Sequence, residues 1–149
     1  MASTWILVAH DAGARLFTSQ GRGKGLALIE SIEHPEGRER DRDIDSDRPG
    51  RSFRRDSGDP RRASMGKSQG PHDRAVARFA KRLADRLEHA RVTNELNGLV
   101  LVAPPRFLGL LRSSIDVPTS RMIIGSIHKD LATSTEAELA KHLREMIAV

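Results

Sequence analysis

The sequence lacks cysteine and tyrosine and has few aromatic residues of any kind. Its 149 residues include one Trp and four Phe. Without cysteine, the chain can form neither a disulfide framework nor a thiolate metal site, which fits a reducing compartment. Stacking platforms for single-stranded nucleic acid are scarce because aromatic rings are scarce. The hydrophobic core must therefore be built mainly from Leu, Ile, Val and Ala.

Long apolar runs are also missing. No stretch approaches the roughly 20 apolar residues that span a membrane. The first residues, "MASTWILVAHDAG", lack the basic start and the longer apolar run of a signal peptide. We therefore expect a cytoplasmic protein without a membrane span. Because 149 residues is a usual length for one domain, we predict that residues 1–149 form a single domain.

The chain has fewer acidic residues than basic ones. The chain has 25 Lys and Arg against 20 Asp and Glu, a formal net charge of +5. Such an excess favours an anionic partner such as RNA, the ribosome or lipid headgroups. A GC-rich genome would produce the same Arg-rich composition without any such partner. Composition alone leaves both explanations open.

The first part of the chain predicts three strands and then a loop. Apolar and β-branched residues form short runs at 4–10, 14–19 and 26–33, separated by glycine-containing turns. After His34 no helical or strand period survives for about 35 residues, which are rich in Arg, Asp, Gly and Pro. We predict a long charged loop over residues 34–70, inserted between the third strand and the long helix that follows.

The second part alternates helices and strands. A long helix is predicted from Pro71, with one apolar face made of Ala75, Val76, Phe79, Ala80, Leu83, Leu87 and Ala90. A buried strand "LVLVA", a short helix "RFLGLLRSSI", a strand "SRMIIGSIH" and a last helix follow. Thr135 and Glu138 have the spacing of a capping box at the start of that last helix. The order predicts an α/β fold, a mixed sheet of about five strands with three helices.

Arginine clusters are the main candidates for binding. The polar face of the long helix carries Arg74, Arg78 and Lys81, and the loop carries four further candidates, Arg48, Arg51, Arg54 and Arg55. Arginine suits bidentate contacts with phosphate, and several together neutralise a nucleic-acid backbone. The alternative is a solvated loop that pairs with its own acids or docks on a second subunit, so that a homo-oligomer stays open.

A second candidate surface follows the buried strand. In "APPRFLGLLR", Arg106 and Arg112 flank a short helix at the carboxyl edge of the sheet, where open α/β sheets commonly bind ligands. Lys129 and Asp130 follow the last strand and are expected at the same edge. Pairing of both arginines with nearby acids is the alternative.

Metal-dependent chemistry is not favoured. Asp11, Glu30 and Asp130 lie near predicted strand ends and could be imagined around a divalent ion, as in two-metal nucleases. Each also has an ordinary position in a turn or a strand. The six histidines show no helical pair of zinc ligands. We therefore predict neither a metal site nor a cofactor.

Several blocks, in order along the chain, resemble one family. "TWILVAHDAGARLF", "IEHPEGR", "SDRPGRSF", "ARFAKRLADRLEHAR", "LVLVAPPRFLGLLR", "IHKDL" and "KHL" are similar to the host attachment protein family. That family is named for a proposed role in bacterial attachment to host cells. Its fold is related to the middle domain of the archaeal and eukaryotic class-one translation release factor. The resemblance implies an RNase H-like mixed sheet and no settled activity.

The release-factor domain acts through a Gly-Gly-Gln tripeptide before a long helix, and here that tripeptide is interrupted. The corresponding stretch reads "MGKSQGPHD", in which Lys67 and Ser68 separate Gly66 from Gln69. Close approach to an ester needs the freedom of adjoining glycines. We therefore favour a non-enzymatic module that binds RNA, the ribosome or a protein partner. The alternatives are a direct or indirect role in attachment and a degenerate peptidyl-tRNA hydrolase that uses Gln69.

Overall fold

Three antiparallel strands open the fold in the computed structural model, which describes residues 3–38 and 70–147. They are β1 (Ser3–His10), β2 (Gly13–Ser19) and β3 (Leu26–Glu33). Asp11 and Ala12 form the turn between β1 and β2, called here the Asp11 turn. Side chains on both faces of β1 are buried, Trp5 and Leu7 on one face and Ile6 and Val8 on the other. This strand is therefore the centre of the fold.

The remaining elements alternate as predicted, with two short additions. They are a 3-10 helix (Pro35–Arg38), α1 (Pro71–Val92), β4 (Leu96–Val102), α2 (Pro105–Ser114), α3 (Val117–Ser120), β5 (Ile123–Ile127) and α4 (Glu136–Leu143). The additions are the 3-10 helix and α3, each of four residues. Neither is long enough to show a hydrophobic period in the sequence.

The five strands form one mixed sheet. Its order is β3-β2-β1-β4-β5, with β1 antiparallel to β2 and parallel to β4, and β4 parallel to β5. The prediction of an α/β fold with a mixed five-stranded sheet is confirmed. Because β1, β4 and β5 run in the same direction, the residues that follow them meet at one edge of the sheet. Asp11, Arg106 and His128 come from that edge.

Helices cover both faces of the sheet. On one face α1 and α2 pack against Trp5, Leu7, Leu99 and Leu101, and the rings of Phe79 and Phe107 lie 6.0 Å apart. On the other face α4 places Leu139 and Leu143 against Ile6, Val8, Phe17, Val100 and Val102. The apolar face predicted for α1 is confirmed, since all seven of its predicted residues are buried. The capping box of α4 is also confirmed.

Two boundaries differ from the sequence prediction. Strand β4 begins at Leu96 instead of Leu99, because Ser3 pairs with Leu96 and Thr4 pairs with Gly98 at the start of β1. The helical spacing of Leu139 and Leu143 continues in the sequence to Met146 and Ile147 and predicts a longer last helix, but α4 ends at Leu143 and both residues follow it. Of the helices in residues 3–38 and 70–147, none is long and apolar enough to cross a membrane.

Candidate functional site

The outer surface of α1 carries a row of exposed arginines. Gly70 caps the helix in an extended conformation, and Pro71 occupies the first turn. Arg74, Arg78 and Arg82 follow at intervals of four residues, and all three are exposed. Successive members of such a row are about 6 Å apart along the helix axis. The opposite side of α1 is buried against the sheet, so the row has a fixed position on the protein surface.

Lys81 lies beside this row and is held by an acid. Its ammonium group is 3.0 Å from the carboxylate of Asp85, one turn further along. The hydrogen bond to Asp85 raises the pKa of Lys81 above its ordinary value, and the charge of Asp85 adds to the effect. Lys81 therefore stays a cation. We call Arg74, Arg78, Lys81 and Arg82 the α1 cationic face.

Asp85 neutralises part of this face by pairing with Lys81. Between Pro71 and Arg82 the only carboxylate is that of Asp73. Within residues 3–38 and 70–147, Arg78 and Arg82 make no hydrogen bond or ion pair. No acid among those residues engages their guanidinium groups. Arginine keeps its charge at every physiological pH.

Arg106 connects α2 to the start of α1. Its guanidinium donates to a carboxylate oxygen of Asp73 at 2.6 Å, while most of the Arg106 side chain stays exposed. The contact engages Asp73, the residue directly before Arg74 of the α1 cationic face. The pairing alternative considered for Arg106 is thus the arrangement found. A charge-assisted bond of this kind also fixes the first turn of α1 against α2.

Arg112 and Lys129 have different surroundings. Arg112 donates to the hydroxyl of Ser126 at 2.9 Å, and that hydroxyl lies 3.4 Å from a ring nitrogen of His128. Lys129 is exposed beyond the end of β5. Arg106 and Arg112 thus have separate polar partners, Asp73 and Ser126.

The Asp11 turn holds the residues on both sides of the predicted loop. His34, which follows β3, donates from Nδ1 to the carbonyl oxygen of Asp11 at 2.6 Å and stacks on Phe79, with ring centroids 4.3 Å apart. The carboxylate of Asp11 lies 3.5 Å from Nε2 of His72, in the first turn of α1. Sequence reasoning did not find this joint, because its partners are far apart in the chain.

The three carboxylates considered for a metal site have other partners. Asp11 faces His72, and Glu30 accepts from Arg86 at 3.0 Å. Asp130 accepts from the backbone N–H of Ala132 at 3.1 Å, as a turn residue does. Across the two described ranges, no group of three or more His, Asp or Glu side chains is arranged to hold a metal ion.

Several predicted site residues lie outside the described residues. They are Arg48, Arg51, Arg54, Arg55 and Gln69. The roles considered for them stay predictions.

Sequence reasoning also overlooked Arg82. Its four-residue spacing from Arg78 was the available signal, because that spacing places both residues on the same side of a helix.

The fold and this surface define an α/β protein that presents a cationic helix on one side of a mixed sheet. A sequence comparison assigns the class more closely. The family described as "Protein required for attachment to host cells" matches residues 5–143. The chain therefore belongs to the host attachment family. No curated protein matches the sequence.

Proposed function

We propose that this member of the host attachment family is a non-enzymatic module that binds RNA, either free or within the ribosome. The observation that carries the proposal is the pair of exposed arginines, Arg78 and Arg82, without acid partners in the described residues. Arginines on a fixed helix surface can bind phosphates with little loss of backbone freedom. The net charge of +5 supports attraction at longer range.

The proposal assigns a binding role instead of catalysis for a chemical reason. Three acids on or beside α1 have structural contacts: Asp73 with Arg106, Asp85 with Lys81 and Glu30 with Arg86. A carboxylate that is held by a cation of the protein is not positioned to take a proton from a substrate. The hydrolase alternative rests on Gln69, and replacement of Gln69 by Ala in a peptidyl-tRNA release assay would test it.

Binding to labelled RNA in solution tests the proposal. Binding should weaken as salt rises, since each phosphate contact releases counterions. Arg78→Gln combined with Arg82→Gln should weaken it further. A matched control is Lys141→Gln combined with Arg144→Gln, two exposed cations at the end of α4 on the other face of the sheet. Equal weakening by both pairs would indicate an effect of net charge alone and would contradict the assigned surface.

A role in attachment to host cells is the second candidate, and the family description favours it. The two candidates differ in where the protein acts, since RNA binding places it in the cytoplasm. Proteolysis of intact cells, followed by detection of this chain, tests the direct version. Digestion of the protein under conditions that spare a cytoplasmic marker would support surface attachment. Full protection would support the cytoplasmic location.

A further inference from the structure

We propose that the α1 cationic face binds the backbone of double-helical RNA instead of unpaired bases. This inference rests on the proposed function and names the form of RNA. The face offers charge and hydrogen-bond donors, which suit phosphates. It offers no Phe or Trp surface on which a base could stack.

The aromatic side chains of residues 3–38 and 70–147 are inside the protein. Trp5, Phe17, Phe79 and Phe107 are exposed by only 3%, 1%, 2% and 1%. Proteins that bind single strands usually stack bases on exposed aromatic rings. The exposed histidine of α1, His89, is seven residues beyond Arg82, about 10 Å along the helix axis. A single strand on this face would therefore gain little beyond its phosphate contacts.

Rigidity of the arginine row favours a rigid partner. Arg74, Arg78 and Arg82 extend along about 12 Å of a regular helix. Phosphates of a duplex are already spaced in a regular line, whereas those of a single strand must be ordered at an entropic cost. A fixed row of cations therefore gains more from a duplex backbone.

The position of α1 determines which part of a duplex can be reached. Nine residues of α1 are buried against the domain, so only the opposite side of the helix can face a duplex. The minor groove of B-form DNA is about 6 Å wide, too narrow for a helix about 10 Å across. The minor groove of A-form RNA is wide and shallow, and its edges carry phosphates and 2′-hydroxyl groups. A surface helix can lie against that groove.

The next arginine marks the end of the binding row. Arg86 continues the four-residue spacing, but it pairs with Glu30 at 3.0 Å and lies over the ring of Trp5 at 5.2 Å. Lys81 is engaged by Asp85. Arg78 and Arg82 are therefore the members of the row on which the proposal rests, and we expect about two phosphate contacts from them. That footprint predicts sequence-independent binding with a modest salt dependence.

The test compares an RNA hairpin of about 20 base pairs, longer than the roughly 16 that double-stranded RNA-binding domains span, with an unstructured RNA of the same length. Fluorescence anisotropy with the full chain gives Kd at about 50 mM and 200 mM salt. We expect the hairpin to bind about tenfold tighter. Arg78→Gln with Arg82→Gln should lower the slope of log affinity against log salt by about two, one for each lost phosphate contact. Both substitutions are on the helix surface, and circular dichroism should show that the variant is folded.

The possible outcomes separate this inference from the proposed function. Equal or tighter binding of the unstructured RNA would overturn the duplex assignment and leave RNA binding in place. Equal binding of a DNA duplex of the same sequence would overturn the assignment to the A-form. Absence of binding to every RNA would refute both the proposed function and this inference. An unchanged salt slope in the arginine variant, with the Lys141 and Arg144 control also unchanged, would place the binding surface elsewhere.

Discussion

At the scale of single residues, Gly37 has the strictest steric requirement in the described part of the chain. A Cβ atom added at Gly37 would lie 1.7 Å from the carbonyl oxygen of Asp11 and 2.9 Å from the nitrogen of Ala12. The glycine thus lets the 3-10 helix lie directly on the Asp11 turn. The backbone N–H of His34 also donates to Ala12 at 3.0 Å. Both contacts fasten the chain where it leaves β3.

Gly37→Ala should therefore destabilise the protein. The new methyl group would contact backbone atoms, which cannot move aside as a flexible side chain can. We expect a loss of about 2 to 3 kcal/mol in the free energy of unfolding, as for overpacked cores. Urea denaturation measures this loss. The control is Gly109→Ala in α2, where an added Cβ meets nothing within 4 Å and alanine favours the helix by about 0.5 to 1 kcal/mol. A stable Gly37→Ala protein would contradict the close contact.

At the scale of elements, α4 shows how a short helix is fixed at its start. The hydroxyl of Thr135 accepts from the backbone N–H of Glu138 at 3.1 Å, and the carboxylate of Glu138 accepts from the N–H of Thr135 at 2.7 Å. The hydrogen bond from the Thr135 backbone lowers the pKa of Glu138 below its ordinary value of 4.5. Ionised Glu138 therefore stabilises the folded protein.

This capping box predicts a pH dependence that Glu138→Gln should reduce. Its contribution is complete above the ordinary pKa of 4.5 and is lost as the pH falls through the lower folded-state value. Glutamine still accepts the hydrogen bond but binds no proton. Urea midpoints measured below about pH 5 should thus fall less steeply in the variant. Glu136→Gln removes a carboxylate from the same turn and serves as control. Equal effects of the two variants would attribute the change to charge near the helix start instead of the capping box.

The sequence predicted those helices and strands whose apolar residues repeat at a regular local spacing. The apolar stripe of α1 from Ala75 to Leu87 has a period that no other structure satisfies, and the structure confirms it. The start of β4 was missed because Asn97 and Gly98 are typical of turns. Gly98 nevertheless lies in β4, where it pairs with Thr4 on β1. Pairing with β1, a strand far away in the sequence, therefore determines where β4 begins.

Helix α3 and the candidate site show the same limit. Four residues cannot display a period. A local cap begins α3, in which Asp116 accepts from the N–H of Thr119 at 3.0 Å, and a distant residue holds it, since Arg91 of α1 donates to the hydroxyl of Thr119 at 2.9 Å. The bonds from Thr119 lower the pKa of Asp116. In the site, helical spacing alone predicted that Arg74 and Arg78 share a face. The contact between Arg106 and Asp73 joins two helices and could not be read from spacing.

At the scale of the whole molecule, one sheet carries two unequal layers. The long α1 and α2 cover one face, whereas the eight residues of α4 cover the other face with Leu139 and Leu143. The only Trp, Trp5, is buried on the α1 side of β1. Since side chains on both faces belong to the same strands, loss of the α4 layer should weaken the α1 layer as well. The chain is then expected to unfold as one domain.

Leu139→Ala tests this coupling through a probe on the opposite face. Leu139 is fully buried, and its truncation should cost about 2 to 5 kcal/mol, the usual range for a large cavity in a core. If the layers are coupled, the urea midpoint reported by Trp5 fluorescence should fall together with the midpoint reported by far-UV circular dichroism. Leu28→Ala, at a half-exposed position of β3, is the control and should move both midpoints little. A Trp5 midpoint that stays in place while the dichroism transition splits in two would show that α4 unfolds separately, and the single-domain prediction would then be wrong.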